Sequence, residues 1–357
     1  MERFNLILNI VQRKALFALL GSVLLWPLAA YAGEENSPME SAMPDIQSVI
    51  DATIRQEYEL AFDICSQLQS HYPEHPVGYF FEAATLQARM LDYEDYSEKD
   101  RFFALTAKVH EMSKKALKSD PQNGWYYFFI GGVLGYQAYF LGREQHYLKA
   151  FNEGWNSIQS LESAIELDEN NFDAYLGIGT YRYYRSKLSK YLSWLPFVGD
   201  EKQVGIDMIR QAIEKGKFSH AAAMNALIWI YIGEERYGDA EALIEAALAD
   251  YPNSRFFLWG KATAASEQEK WQDAEQVYLN ILQSYKDEGK RSYYNELLCN
   301  ARLAQIYTHS GKTELAQNHA KAALQVKIEK SLRKRAQKFQ KMAEKIIKEH
   351  EEQTELP

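Results

Sequence analysis

The feature that most constrains this chain is a spacing that recurs along it. In GDAEALIEAALADYP, Ala240, Ile244, Ala247 and Pro252 fall at intervals of four, three and five residues. In ELAFDICSQLQSHYP, far upstream, Ala61, Cys65, Leu68 and Pro73 fall at the same intervals. A fixed spacing that recurs along a sequence marks a repeat protein, built from units that stack because none buries its apolar face alone. Apolar residues recur at helical spacing almost everywhere, with Gly, Pro and Asn between the runs, and strand signals are nearly absent.

The strictest unit covers 221–252. Leu227 and Tyr231 take the large positions of a first helix, Gly233 begins a turn, and Tyr237 precedes the small-residue pattern of the second helix. Trp271, Ala274, Tyr278 and Ile281 repeat this 34 residues later, and Leu303, Tyr307, Gly311, Ala316, Ala320 and Ala323 form a further unit. These residues resemble the tetratricopeptide repeat family. Each unit there is a helical hairpin whose small residues allow close approach and whose large ones fill the gaps. Upstream, the small position late in the second helix falls at Leu68, Ala116, Ala164 and Ala212, in steps of 48 residues. Units two to four are thus hairpins with about 14 residues beyond the usual 34. The surplus falls near 92–100, 138–150 and 186–200. The segment YRYYRSKLSKYLSWLPFVGDEKQVGIDMI is also similar to tetratricopeptide-39-type outer mitochondrial membrane proteins, which carry an apolar Leu-Pro segment before a Gly-Asp turn. The expected fold is all-α: a tetratricopeptide-like superhelical solenoid of about seven hairpins, extended in its N-terminal half.

Four regions are expected. Residues 1–32 read as a cleaved signal peptide: Arg13 and Lys14, then an apolar run, then Ala30-Tyr31-Ala32 as a small-x-small site, with no nearby Cys for a lipid anchor. Residues 33–44 read as a disordered leader, 45–326 as the solenoid, and 327–357 as a basic capping helix and tail. From Lys327 to Lys348 there are nine Lys or Arg against two Glu, with a stripe of Leu332, Ala336, Phe339, Ala343 and Ile346. A solvating cap, a plug for an acidic groove and a contact with anionic lipid are all open for that helix. Of 40 Lys and Arg and 49 Asp and Glu, three and one lie in the first 32 residues, leaving a net charge of −11 beyond them. That acidity argues against nucleic acid as the main partner. The destination expected from the signal is the periplasm or beyond. Cys65 and Cys299 lie on apolar faces at opposite ends of the solenoid, where a bridge between them is not expected.

No nucleophile motif, metal cluster or phosphate loop emerges, and no cofactor is expected. Gly131, Gly132 and Gly135 lack the preceding strand and following Lys of a phosphate loop, and read as close helix contacts. His71 and His75 are separated by Pro73, which breaks the helix that would align them. The family resemblance implies a non-catalytic scaffold that holds a peptide or helix in its concave groove. Tyr181, Arg182 and Arg185 are the candidate groove residues, able to stack and to form charge-assisted hydrogen bonds with peptide or sugar. The rings from Trp125 to Phe129 either share that role or fill gaps between helices. Trp194 and Phe197, in the apolar insertion 187–200, are candidates for docking a partner or a membrane surface, or for packing on a neighbouring repeat.

Overall fold

The computed structural model describes residues 37–144, 146–189 and 199–354. The chain divides into two compact units, Met1–Ser41 and Ala42–Pro357. Only the opening of one helix is described in the first unit, and everything below concerns the second.

Among the described residues there are fifteen α-helices and no strand. They are α1 (Pro38–Ile54), α2 (Tyr58–His71), α3 (Val77–Tyr93), α4 (Lys99–Ala116), α5 (Gly124–Arg143), α6 (Tyr147–Leu167), α7 (Ala174–Ser189) and α8 (Lys202–Lys215). Then come α9 (His220–Gly233), α10 (Tyr237–Asp250), α11 (Arg255–Glu267), α12 (Trp271–Asp287), α13 (Tyr293–His309), α14 (Thr313–Gln325) and α15 (Arg333–Thr354). The first fourteen pair into seven hairpins. Helix α1 begins at Pro38, so residues 38–44 are helical rather than a disordered leader. A Pro in the first turn loses no hydrogen bond, because that N–H has no intrahelical partner.

The spacing that announced the repeat is the buried face of the second helices. Ala61, Cys65, Leu68, Ala240, Ile244, Ala247, Ala316, Ala320 and Ala323 are all buried. The surplus in hairpin 3 is extra helix: α5 and α6 run 20 and 21 residues, against 14 each for α9 and α10. Close approach of these long helices needs glycine. A Cβ on Gly131 would lie 2.6 Å from the Leu161 side chain and 2.9 Å from the Ser157 carbonyl. Gly179 and Gly205 place the α7 and α8 backbones against each other in the same way.

Hairpins 1, 5, 6 and 7 share one turn. The residue two before the second helix has positive φ: Gln56 (63°), Glu235 (59°), Glu269 (57°) and Gly311 (69°).

The C-terminal helix starts later than the sequence suggests. Val326 is extended after α14, a 3-10 turn covers Lys330–Leu332, and α15 follows. Its stripe of Leu332, Ala336, Phe339, Ala343 and Ile346 is buried in the core of hairpins 6 and 7.

The two halves of the solenoid also meet, contrary to the expectation that its ends stay apart. Asp51 and Ile54 accept hydrogen bonds from Tyr251 (2.7 Å) and Ser254 (2.6 Å). Asp92 at the end of α3 binds Arg255 at 2.7 Å, and Glu94 binds Arg335 of α15 at 2.7 Å. Cys65 and Cys299 are nevertheless buried and free.

Candidate partner-binding surface

The end of α7 carries the candidates read from sequence, and each meets a carboxylate or ring of its own chain. Arg182 lies 3.7 Å from Glu162 on α6. Arg185 pairs with Glu201, just before α8, and sits 5.6 Å above the half-buried Tyr181 ring. The two arginines therefore engage the helices on either side of α7. Tyr183 between them is buried and donates to Glu234 at 2.6 Å, and burial together with that carboxylate pushes its phenol up. Lys187 and Lys202 each approach Glu234 at 3.8 Å. Trp194 and Phe197 lie outside the described residues.

The aromatic run on α5 is interior at Phe128 and Phe129 and half-buried from Trp125 to Tyr127. Phe129 is fully buried, Phe128 nearly so, and Trp125 stacks beside Phe218 at 5.6 Å. His75 is buried beside Phe129 and Tyr126, where burial lowers its imidazole to about 4. Burial pushes the Cys65 thiol up to about 12 and raises Cys299 well above the ordinary thiol value, so neither is a nucleophile at neutral pH. Among the described residues no group of three or more His, Cys, Asp or Glu is placed to hold a metal ion. No described helix is long and apolar enough to cross a membrane.

The surface that stands out is one the sequence reading did not single out. In the first half of α6 the usual pattern inverts. Ala150 and Gly154 face Gly142 and Ala138 of α5, and Ser157 donates to the Gly131 carbonyl at 2.6 Å. The large apolar residues face outward instead: Leu148 is 85% exposed, Phe151 62% and Trp155 44%. They are spaced three and four apart, one stripe on one helix. Tyr139 on α5 and Tyr184 on α7 are exposed as well. A row of large side chains at this spacing normally belongs in a core, and here it is exposed. The signal was present in the sequence as small residues at 150 and 154 interleaved with large ones at 148, 151 and 155. Reading it requires knowing which face meets α5.

No family profile and no curated protein matches the chain. Among solved structures, the APC/C hetero-tetramer Cut9–Hcn1 is similar at 14% identity and a TM-score of 0.50, over 76% of this chain and 44% of that one. The type IV pilus biogenesis factor PilW is similar at 16% identity and a TM-score of 0.46, over 68% of this chain and 94% of its own. A repeat-containing protein from Cytophaga hutchinsonii is similar at 15% identity and a TM-score of 0.43, over 80% of this chain and 98% of its own. At these identities the likeness is one of fold. Seven stacked hairpins with small residues buried at four-three spacing give the chain the fold of a solenoid of the tetratricopeptide repeat type, and Cut9–Hcn1 is similar to it in fold.

Proposed function

We propose that the protein is a non-catalytic scaffold, exported across the inner membrane, that holds protein partners in envelope assembly. The signal-like segment 1–32 supports export. The observation that carries the binding surface is the inverted first half of α6, which turns Leu148, Phe151 and Trp155 to solvent. Aromatic and aliphatic anchors of this kind are what a partner's pocket desolvates. Tyr181, Arg182 and Arg185 belong to the neighbouring hairpin, and Trp194 and Phe197 are further candidates from the sequence alone. Both arginines already have carboxylate partners, so they contribute less than free ones would.

Affinity capture with the intact chain tests this against Phe151→Asp and Trp155→Asp. Both side chains reach solvent, Phe151 more than Trp155, so helicity stays unchanged while affinity for a captured partner falls by about 30-fold or more, the scale of a central anchor. Equal recovery by both variants would remove the α6 face from the reading. Arg182→Glu and Arg185→Glu, scored in the same assay, report on the concave groove.

A second reading has its own observation. Lys149 is exposed beside the same apolar stripe, a combination suited to the interface of an anionic bilayer. Flotation of the wild-type chain with liposomes is then expected, and is lost in Trp155→Asp. A wild-type chain that stays with the soluble fraction retires membrane contact.

A further inference from the structure

Hairpins of a solenoid ordinarily touch only their neighbours. Here three successive linkers of the C-terminal half reach the N-terminal half. Phe218, between α8 and α9, packs on Phe81 of α3 at 5.4 Å, with Phe128 and Trp125 of α5 at 5.4 and 5.6 Å. Tyr251 and Ser254, between α10 and α11, bond to Asp51 and Ile54 at the end of α1. The third linker, between α12 and α13, reaches the end of α3. Ser292 donates to the Tyr93 carbonyl at 2.6 Å, and Asn295 to the Asp92 carbonyl at 2.7 Å. These linkers therefore meet the ends of α1, α3 and α5, the first helices of hairpins 1–3.

The chemistry of this contact differs from that of the blocks it joins. Inside hairpins 6 and 7 and the cap, the core is a continuous run of Ala, Leu, Ile and Tyr. The contact between halves is aromatic at one end and ionic at the other, and it also carries Ile50 and Ile54 of α1, which pack into the core of hairpins 4 to 6. At the ionic end Arg255 is 1% exposed. Its guanidinium donates to both oxygens of Asp92 (2.9 and 2.7 Å), to Glu288 and to Ser284, and lies 4.2 Å from the Tyr285 ring centre. Tyr58 adds a hydrogen bond to Asp92 at 3.1 Å. Such a buried pair adds little net stability over apolar packing, yet fails sharply when one partner goes, because the other charge is stranded. Blocks joined largely through aromatic and polar contacts can part without unfolding.

We propose that this seam is an autoinhibitory latch. Hairpins 1–3 form one block, and hairpins 5–7 with α15 form another. Opening the Asp92–Arg255–Glu288 contact separates them while each hairpin stays folded. Parting uncovers Phe81, Trp125 and Phe128 on one block and Phe218 on the other. The latch stands on these contacts and not on the α6 surface, so either can fail alone.

Hydrogen exchange of the intact chain, read by mass spectrometry, tests it with Arg255→Met, which keeps an unbranched apolar stem and removes the guanidinium charge. Exchange is expected to rise at least tenfold in 51–56 and 77–93, with helicity and the protection of α13 and α14 retained. Fluorescence of an anilinonaphthalene sulfonate dye rises as the aromatic faces open. A second, milder variant removes two cross-seam hydrogen bonds, Tyr251→Phe with Ser292→Ala. Its expected effect is about a tenfold rise confined to the same segments, from the ordinary contribution of two such bonds. Unchanged exchange in both variants would overturn the latch. So would a rise spread evenly over all hairpins in the double variant, which would make the seam part of one cooperative core. If Arg255→Met loses helicity, the double variant alone decides.

Discussion

At the scale of single residues, His75 carries a clear dependence on pH. Its Nδ1 accepts from the Val77 N–H at 3.3 Å at the start of α3, and its ring lies against Phe129. Burial lowers its pKa from 6.5 to about 4. The unfolded chain therefore binds a proton near pH 6.5 that the folded chain refuses until about pH 4. The stability this group contributes is fully present above 6.5 and is lost as pH falls towards 4. It amounts to about 3 kcal/mol. Denaturant midpoints measured at pH 7.5 and pH 4.5 should separate clearly for the intact chain and by less in His75→Gln. An equal separation in the variant would place the acid sensitivity elsewhere. Glu94 acts in the same direction. Burial alone would raise its carboxyl, but Arg335 and Arg143 hold it below the usual range, so its contribution is present at neutral pH and lost on acidification. Of this, sequence showed only that His75 is a poor metal ligand, since burial beside two rings depends on partners about 50 residues away.

At the scale of elements, the shared turn makes a prediction of its own. Glu235 and Glu269 hold the left-handed conformation that costs a residue with a Cβ roughly 1–2 kcal/mol and glycine nearly nothing. Glu235→Gly and Glu269→Gly should each stabilise the chain by about 0.5–1 kcal/mol after the entropy of the added glycine is counted. Thermal melts that move down instead would mean these glutamates make contacts worth more than the strain. Gly311 already has glycine at that position, and its motif was visible in the sequence for that reason. The two glutamates were not, because nothing in a glutamate advertises positive φ. The same contrast separates the second helices from α6. Ala240, Ile244 and Ala247 announce a buried face because small residues at four-three spacing serve little else. Leu148, Phe151 and Trp155 have a core-like spacing, and only the glycine contacts of α5 reveal that they point the other way.

At the scale of the whole molecule, α15 closes the apolar core of hairpins 6 and 7 and reaches across to Glu94 through Arg335. Deleting 333–357 removes Phe339 and Ile346 from that core, at about 1.5–3 kcal/mol each. A loss on the order of 5 kcal/mol with increased self-association is expected, read by calorimetry and light scattering. A truncated chain with unchanged stability and unchanged self-association would make α15 an appendage. The stacking of neighbours was legible because it repeats, and each repeat restates the rule. The contact between halves occurs once, between residues such as Asp92 and Arg255 that are 163 positions apart, and no periodicity marks it. That separation has a consequence during synthesis. At about 5–20 residues per second, roughly 10–30 s pass between the emergence of Asp92 and that of Arg255. For that interval Phe81, Tyr93 and Asp92 are without the segments they will dock on. A nascent chain of this design offers its early hairpins to chaperones before its own later half can claim them.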